Sequence, residues 1–258
     1  MLLKDKVVVI SGVGPGMGQS LARIAAAEGA KVGLGARNKA FIEGVADEIR
    51  AAGGEAVAVP TDVTSADQCR ALAAATEKAF GRIDGLVNSA YIHGPWQTTD
   101  EVDVAEFAAV YDVNCAGALR MAQACLPALK ASKGAIVNVS TQSTVDPFPG
   151  EGAYGTAKGG LNALTRHMAK DFGRHGIRVN LTRMGWIGGA PVYGYIDSQV
   201  AAGRDRDEVV GEITARIALG IIPPEEDCAK AVLFLVSDYS KVMSGASVDV
   251  NGGQYMAP

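Results

Sequence analysis

The sequence predicts an α/β fold in which a doubly wound, parallel β-sheet of about seven strands carries helices on both faces. Short, continuously apolar runs rich in β-branched residues alternate along the chain with longer stretches of helical periodicity. Parallel neighbours need crossover connections of this kind, and the connecting helices then cover the sheet. Because no linker, repeat or low-complexity tract interrupts the 258 residues, one domain spanning residues 1–258 is expected.

The elements can be assigned in order from the amino end. Residues 7–10 form a strand expected to be buried on both faces, and helical spacing of apolar residues runs from Leu21 until Gly29. Ser65 and Gln68 have the spacing of a capping box, which predicts a helix that begins there and continues to Gly81. The remaining strands are expected at residues 31–34, 56–59, 85–87, 135–139 and 177–181 and just before Gly252, and the remaining helices at residues 41–49, 104–129 and 157–172.

One segment breaks this regular alternation. Between residues 188 and 216 the apolar periodicity is poor until about Val209, and Pro191, Tyr193 and Tyr195 lie close together. An insertion of this length in a compact domain is usually a lid or a binding loop. The segment is therefore expected to be a lid over a substrate.

The charge of the chain indicates which class of partner it binds. The chain has 24 Lys and Arg against 28 Asp and Glu, a net charge of −4, and no block of like charge. Proteins that bind nucleic acid or anionic membranes usually carry a basic patch, so neither partner is predicted. A small molecule is the better expectation.

The cysteines and the lengths of the apolar runs indicate the cellular compartment. The four cysteines form no Cys-x-x-Cys pair and none has ligand-like spacing to the three histidines, so neither a disulfide nor a metal site is predicted. The thiols are expected to be small, buried hydrophobic groups. The first residues lack the apolar stretch of a signal peptide, and no apolar run approaches the roughly eighteen residues that span a bilayer, so a cytoplasmic protein is predicted.

A glycine-rich turn follows the first strand directly and opens the first helix. It reads Ser11-Gly12-Val13-Gly14-Pro15-Gly16-Met17-Gly18. Gly12 allows a tight turn, Gly16 allows the backbone to approach a ligand, and Gly18 allows the helix to pack closely on the sheet. Because unpaired N–H groups at a helix N-terminus favour an anion, the turn predicts a site for the pyrophosphate of a dinucleotide.

The spacing of this turn, Gly-x-x-x-Gly-x-Gly, is combined with Tyr154-Gly155-Thr156-Ala157-Lys158 downstream. Together the two motifs resemble the short-chain dehydrogenase/reductase family, and the resemblance covers nearly the whole chain. It implies a Rossmann-like fold, an oxidoreductase with NAD(H) or NADP(H) as cofactor, and a homotetramer. It also implies cofactor contacts from Gly12, Gly14, Gly16, Met17, Gly18, Asp62, Val63, Asn88, Ala90, Tyr154, Lys158, Gly185 and Ile187.

The choice between the two cofactors depends on the end of the second strand, where NAD enzymes commonly place a carboxylate that binds the ribose 2′-hydroxyl. Here that position is Ala36, and the next residue is Arg37. No acid would repel a 2′-phosphate, and a guanidinium is suited to binding one, so NADP(H) is favoured and NAD(H) stays open. Pro15 stands where many NADP-preferring members of the family have a basic residue, which points the other way.

Tyr154 and Lys158 are four residues apart, so on a helix they share one face. An ammonium group beside a phenol stabilises the phenolate, so the pair predicts a tyrosine with a lowered pKa that acts as a base. The resemblance implies that Tyr154 exchanges a proton with the substrate oxygen while hydride passes to or from the nicotinamide. It further implies that Lys158 holds the nicotinamide ribose and that Asn114 anchors a water molecule.

A threonine, Thr141, stands where the family has a catalytic serine. Thr141 keeps the hydroxyl donor, although its methyl group restricts the rotamer and narrows the pocket. On a continuing strand, Ser143 would point to the same side as Thr141 and Ser140 to the opposite side. Thr141 is therefore the first candidate for this role and Ser143 the second.

The residues that the resemblance places around the nicotinamide are mostly aromatic: Tyr91, Ile92, His93, Trp96, Ser143, Phe148, Trp186, Tyr193 and Tyr195. Such a lining suits a bulky or ring-bearing hydrophobic substrate, so the predicted activity interconverts a secondary alcohol and a ketone. Two alternatives stay open. One is a reductase of a 3-oxoacyl thioester, which would need a more basic rim than Arg204 and Arg206 provide, and the other is a non-catalytic dinucleotide-sensing protein.

Overall fold

Seven parallel strands in one sheet form the centre of the molecule. The computed structural model describes residues 1–256. The strands are β1 (Val7–Ser11), β2 (Lys31–Ala36), β3 (Glu55–Pro60), β4 (Gly85–Asn88), β5 (Ala135–Thr141), β6 (Arg178–Met184) and β7 (Ser247–Val250). Their order across the sheet is β3-β2-β1-β4-β5-β6-β7, and every pair of neighbours is parallel. The predicted fold class is confirmed.

Helices cover both faces of the sheet. They are α1 (Met17–Ala27), α2 (Lys39–Ala51), α3 (Ala66–Phe80), α4 (Val104–Tyr111), α5 (Gly117–Ser132), α6 (Gly152–Gly173), α7 (Ala190–Ala201), α8 (Arg206–Thr214) and α9 (Glu225–Val236). One core contains α1, α2 and α9, and the other contains α3, α5 and part of α6. Along β1, Val8 and Ile10 belong to the first core and Val9 to the second, as alternation in a doubly covered strand requires.

The sequence predicts both ends of α3. The structure confirms the C-terminal end at Gly81 and one of the two hydrogen bonds of the predicted capping box at the N-terminal end. Gly81 ends the helix in the left-handed region at φ 78°, which glycine adopts without strain. At the other end the Ser65 hydroxyl accepts a hydrogen bond from the Gln68 N–H at 3.4 Å. The Gln68 Oε1 does not return to Ser65, because it accepts from the Asp62 N–H at 2.8 Å. The capping box is therefore incomplete, and Gln68 fixes the turn that carries Asp62.

The stretch predicted as helical over residues 104–129 is helical throughout, but its pitch changes in the middle. A π-helical turn, Asp112–Ala116, separates α4 from α5. Within it, the Asn114 Nδ2 donates to the Ile92 carbonyl oxygen at 2.8 Å and to the Val110 carbonyl oxygen at 3.0 Å. A side chain that bonds a carbonyl one turn back competes with the main-chain hydrogen bonds of the helix. The prediction of helix over residues 104–129 is confirmed, but hydrophobic periodicity does not register this local change of pitch.

Residues 188–216 contain two helices, α7 and α8, where the sequence suggested an irregular segment. The two helices share a small apolar core made of Ile196, Val209, Ile213 and Ile217. Each helix is short and contributes few of these side chains, so the periodicity of either helix alone is weak. The helices could be recognised only from the way they pack together.

The helix α9 has no counterpart among the predicted helices. Its first turn is acidic, which complements the positive end of the helix dipole. All of residues 231–236 are apolar, and Val232, Leu233 and Leu235 are buried in the core that α9 shares with α1. A helix segment that is apolar all round shows no one-sided period, so the sequence pattern did not reveal it.

Two further properties bear on the sequence predictions. The four cysteines, Cys69, Cys115, Cys125 and Cys228, are buried and unpaired, as predicted. Over residues 1–256, none of the helices combines the length and the apolar character needed to cross a membrane.

Candidate functional site

The carboxyl ends of the strands meet at one edge of the sheet. The connections from β1 and β4 lead to opposite sides, because the strand order reverses between these two neighbours. In open α/β sheets a crevice at such a reversal is where ligands bind. The glycine turn after β1 and the segments after β4, β5 and β6 all lie at this edge, so the predicted site residues converge there.

The glycine turn leaves no room for side chains at two positions. Gly12 has φ +87°, and a Cβ there would overlap the main chain of Ala90. A Cβ at Gly18 would overlap the Gly12 carbonyl oxygen. Within the described residues, the N–H groups of Gly16, Met17 and Gly18 donate to no backbone carbonyl, so the start of α1 presents unpaired donors. This geometry agrees with the predicted anion site.

Arg37 and Asp62 lie close together at the ends of β2 and β3. Arg37 is exposed, and over residues 1–256 its guanidinium forms no hydrogen bond or ion pair. The Asp62 carboxylate accepts from the Thr64 N–H at 2.9 Å and from the Thr64 hydroxyl at 2.7 Å. These bonds, and then the nearby charges of Arg37 and Arg120, hold the pKa of Asp62 below its usual value. Val63 is buried against the start of α5.

Asn88 ends β4, but its side chain points into the core. Its Nδ2 donates to Asn138 Oδ1 at 2.9 Å and to the Ala118 carbonyl at 3.3 Å. Its Oδ1 accepts from the Ser11 hydroxyl at 3.2 Å. Because these bonds occupy the amide, the predicted cofactor contact of Asn88 is restricted to its main chain. The neighbouring Ala90 lies against the glycine turn.

Tyr154 and Lys158 share one face of α6, as predicted, but no hydrogen bond joins the ammonium to the phenol. The Lys158 Nζ donates to the Val139 carbonyl at 2.8 Å and lies 5.9 Å from the centroid of the Tyr154 ring. Lys158 is completely enclosed, and this burial lowers its pKa to about 7. Near neutral pH a substantial fraction of Lys158 is therefore uncharged.

The prediction of a lowered pKa for Tyr154 is wrong for these residues by themselves. Burial raises the pKa of the phenol, and the neighbouring Tyr91 and Glu151 raise it further, while a hydrogen bond with Thr141 acts in the opposite direction. The physical reason is desolvation, which disfavours the phenolate more than the protein groups around it favour it. The chain alone keeps Tyr154 protonated.

Thr141 and Ser143 lie together at the end of β5. The strand ends at Thr141, and a 3₁₀ turn, Gln142–Thr144, follows it. This turn, and not strand alternation, brings the Ser143 hydroxyl within 3.1 Å of the Thr141 hydroxyl. Ser140 points away and donates to Asn162 at 2.6 Å. Since Thr141 is the residue whose hydroxyl is hydrogen-bonded to Tyr154, it stays the first candidate for binding the substrate oxygen.

Asn114 has one polar atom that the protein does not satisfy. Its Nδ2 makes the two hydrogen bonds described above, but its buried Oδ1 has no partner within the described residues. A buried amide oxygen without a donor is a favourable place for a bound water molecule. The structure therefore fits the predicted role of Asn114 as the anchor of a water.

The segment after β6 carries Gly185 and Ile187. The Gly185 N–H donates to the Val250 carbonyl at 3.2 Å, and a Cβ on Gly185 would be crowded by Asn251. The Ile187 carbonyl accepts from the Gly189 N–H at 2.8 Å. In residues 1–256 the Ile187 N–H has no acceptor, so the backbone contact predicted for it is geometrically open.

Glu225, the first residue of α9, is a site residue that sequence reasoning missed. Its carboxylate accepts from the Ser20 hydroxyl at 2.7 Å and lies beside Gly16 and Gly189. The side chain thus joins α9 to the glycine turn and to the start of the lid segment. An acid in the first turn of a helix is common, so the sequence contains no specific signal for this role.

His93 and Trp96, both predicted to contact substrate, form an aromatic stack on Tyr154. The His93 ring lies between the rings of Tyr154 and Trp96, at centroid distances of 4.5 and 4.2 Å and interplanar angles of 20° and 13°. Both faces of His93 are therefore covered, which limits its contact with a ligand to the ring edge. Tyr91 is 47% exposed, and its ring lies 6.3 Å from that of Tyr154, so it stays open to a ligand.

The other predicted substrate residues are divided between the lid and the loop before α6. Trp186 packs against the apolar core of the lid and lies 5.5 Å from the Tyr195 ring. Tyr193 and Tyr195 are both partly exposed. Phe148 lies under the Arg216 guanidinium at 5.0 Å. A cavity of about 510 Å³ beside α6 is lined by Ser143, Thr144, Pro147, Phe148, Glu151, Gly152, Gly155, Thr156, Gly159 and Gly160, a set that does not include Tyr154.

Comparison with known proteins finds one matching family and several relatives that are similar over nearly the whole chain. The model of a family described as enoyl-(acyl carrier protein) reductase matches residues 12–254. The cis-4-hydroxycyclohexanecarboxylate dehydrogenase of Sinomonas cyclohexanicum is 34% identical over 250 residues, 96% of each chain. The structure of levodione reductase has a TM-score of 0.90 and 29% identity over 98% of each chain. A short-chain type dehydrogenase/reductase from Mycobacterium ulcerans has the same TM-score and 25% identity, over 98% of this chain and 91% of that one.

Gly12→Ala should weaken the binding of reduced cofactor by about tenfold or more, because the added Cβ meets the main chain of Ala90 at a positive φ. The matched control is Gly44→Ala in α2. Gly44 has open space around it and no positive φ, so this variant should bind within about twofold of the original chain. Fluorescence titration with the reduced dinucleotide measures both, and equal affinities for the two variants would contradict the expected role of Gly12.

Proposed function

Because the chain belongs to the short-chain dehydrogenase/reductase family, it is an oxidoreductase with a nicotinamide dinucleotide as cofactor, and we propose that it interconverts a secondary alcohol and a ketone. The observation that carries the proposal is the convergence of Tyr154, Lys158 and Thr141 beside the glycine turn. A phenol and a hydroxyl that can act on the same oxygen atom are what proton transfer to or from an alcohol requires.

The residues present fit a dinucleotide. The turn at Gly12 and Gly18 leaves no room for side chains, and the unpaired N–H groups at the start of α1 can receive a pyrophosphate. Arg37 has no ionic partner within residues 1–256 and is free for a phosphate at the adenosine end. When bound, the nicotinamide supplies the position that accepts or gives up hydride.

The substrate oxygen would be held by two hydroxyl groups. The Thr141 Oγ1 accepts from the Ser143 N–H at 3.2 Å, which fixes its orientation at the end of β5. Its proton can then be donated to the oxygen of a ketone or an alcohol. The Tyr154 hydroxyl gives its proton to that oxygen in ketone reduction and receives it back in alcohol oxidation.

The proton on Tyr154 must also reach solvent. Lys158 has a pKa of about 7, so it can both accept and release a proton near neutral pH. Its hydrogen bond to the Val139 carbonyl keeps the ammonium at the end of β5. Asn114 completes the arrangement by holding a water molecule on its unsatisfied Oδ1.

The surroundings favour an uncharged, ring-bearing substrate. In residues 188–224 every basic side chain is paired with a carboxylate: Arg204 with Glu212 at 2.5 Å, Arg206 with Asp197 at 2.6 Å and Arg216 with Asp146 at 3.3 Å. No free cation of the lid is left for the phosphates of a carrier-bound thioester, which disfavours a 3-oxoacyl substrate. Aromatic residues such as Tyr91 and Tyr193 offer contact area to a ring, and the Sinomonas relative is named for a cyclohexane alcohol.

For the cofactor we favour NADP(H) over NAD(H). Arg37 is exposed immediately after β2 and unpaired within the described residues, and Ala36 provides no carboxylate for a ribose hydroxyl. A guanidinium binds phosphate through several N–H donors in one plane. NAD(H) remains the second candidate.

Three further expectations are part of the proposal. The chain is a single domain in which residues 188–216 act as the substrate lid. It assembles as a homotetramer, as the family resemblance implies, and it acts in the cytoplasm.

Replacing Arg37 with Ala should lower kcat/KM for NADP(H) by about 10- to 100-fold, since one charge-assisted hydrogen bond to phosphate is lost. The same variant should leave kcat/KM for NAD(H) within about twofold. Steady-state kinetics with both cofactors measure this, with Arg166→Ala, an exposed arginine of α6, as the control. An unchanged preference in Arg37→Ala would contradict the cofactor assignment.

Tyr154→Phe should reduce turnover by about 100- to 10,000-fold, the usual contribution of a general acid–base group. A panel of cyclic and aromatic alcohols and ketones, followed by absorbance of the reduced nicotinamide, provides the measurement. Because Tyr154 is also a predicted cofactor contact, cofactor binding should weaken, but by less than about tenfold, the cost of one neutral hydrogen bond. Tyr239→Phe, at an exposed tyrosine, is the matched control. Tight cofactor binding without turnover of any compound in the panel would favour a dinucleotide-sensing protein instead.

A further inference from the structure

The aromatic stack on Tyr154 is held in place by a carboxylate. The His93 ring is packed against Tyr154 on one face and Trp96 on the other, and its Nε2 lies 3.3 Å from the Glu151 Oε1. The side chains of His93 and Glu151 are only 29% and 12% exposed. Since little water competes for the contact, the orientation of the imidazole, and through it that of the phenol ring, depends on this pair.

Glu151 also places a negative charge next to the phenol. Although burial opposes it, hydrogen bonds with His93 and Ser143 hold the pKa of Glu151 below its usual value, so the carboxylate is ionised at neutral pH. Its charge is one of the effects that raise the pKa of Tyr154. A negative charge at this position disfavours the phenolate.

The other titratable groups around Tyr154 belong to α6, the loop after β4, the π-helical turn and the loop before α6. From α6 comes Lys158, which bonds the Val139 carbonyl, and from the loop after β4 comes Tyr91, whose phenol also raises the pKa of Tyr154. Cys115 of the π-helical turn acts on Lys158. Farther along the loop before α6, Asp146 is paired with Arg216 of the lid segment. Glu151 is the carboxylate among these groups that acts on the phenol.

We propose that Glu151 and His93 form a positioning pair for Tyr154, in which the carboxylate orients the imidazole and the imidazole fixes the phenol ring. The proposal rests on Tyr154 being the proton-exchanging group of the proposed function. It assigns a role to two residues that do not touch the reacting atoms. Both act through Tyr154.

The role of Glu151 is tested without substrate. In protein with isotope-labelled tyrosine rings, the Tyr154 resonances are assigned by their loss in Tyr154→Phe, and at neutral pH their positions report the ring stacked on the phenol. Glu151→Ala removes the partner of the imidazole, so the Tyr154 resonances should move toward their positions in His93→Ala. The matched control is Asp146→Asn, which removes a carboxylate from the same loop and should leave the Tyr154 resonances in place.

The positioning effect is tested by kinetics. His93→Ala removes the stacked ring and should lower kcat by about tenfold or more, with KM for the cofactor unchanged. His93→Phe restores a flat ring and should recover most of that loss. Equal impairment of the two variants would overturn the role of His93, and Tyr154 resonances in Glu151→Ala that match those in Asp146→Asn would overturn the role of Glu151.

The two tests separate this inference from the proposed function. If the original chain oxidises no alcohol, the proposed function fails, and the NMR spectra still decide whether Glu151 and His93 orient Tyr154. If turnover is found but the Tyr154 resonances in Glu151→Ala are unchanged, the function stands and the pairing inference is overturned.

Discussion

Exclusion of water from the buried Lys158 and the partly buried Tyr154, under the carboxyl ends of the strands, is the constraint on which the site depends. Desolvation acts on both groups in the same sense, because it favours the uncharged form of each. It raises the pKa of Tyr154 and lowers that of Lys158 to about 7. The phenol is thereby a proton donor at neutral pH, and the amine can exchange a proton there. The acid–base character of the site follows from its enclosure more than from attraction between the two groups.

The surrounding elements provide that enclosure and its few polar contacts. The end of β5 supplies the Val139 carbonyl for Lys158 and the hydroxyl of Thr141 for Tyr154. The π-helical turn supplies Asn114, whose amide nitrogen is fixed by two carbonyls and whose oxygen is left unsatisfied. The stack of His93 and Trp96 covers one face of the phenol.

The local features of this arrangement could be predicted from the sequence, and the long-range ones could not. Periodicity and spacing within a few residues fix the positions of the first six strands, the glycine turn and the common face of Tyr154 and Lys158. The burial of the Asn88 amide against Asn138 depends on partners fifty residues apart, which one sequence does not reveal. The same holds for Glu225 at the glycine turn and for Glu151 beside His93. The sign of the pKa shift of Tyr154 was mistaken because spacing indicates which charges are near but not how much water is excluded.

The dependence of alcohol oxidation on pH tests this account most directly, because oxidation requires Tyr154 to accept a proton. With its pKa raised by burial, the fraction of phenolate grows about tenfold with each pH unit below that value. The account predicts that kcat for oxidation, with saturating cofactor, continues to rise from about pH 7 to about pH 10. A rate that has already reached its plateau at about pH 7 would contradict it, because the phenol would then be ionised where burial should keep it neutral.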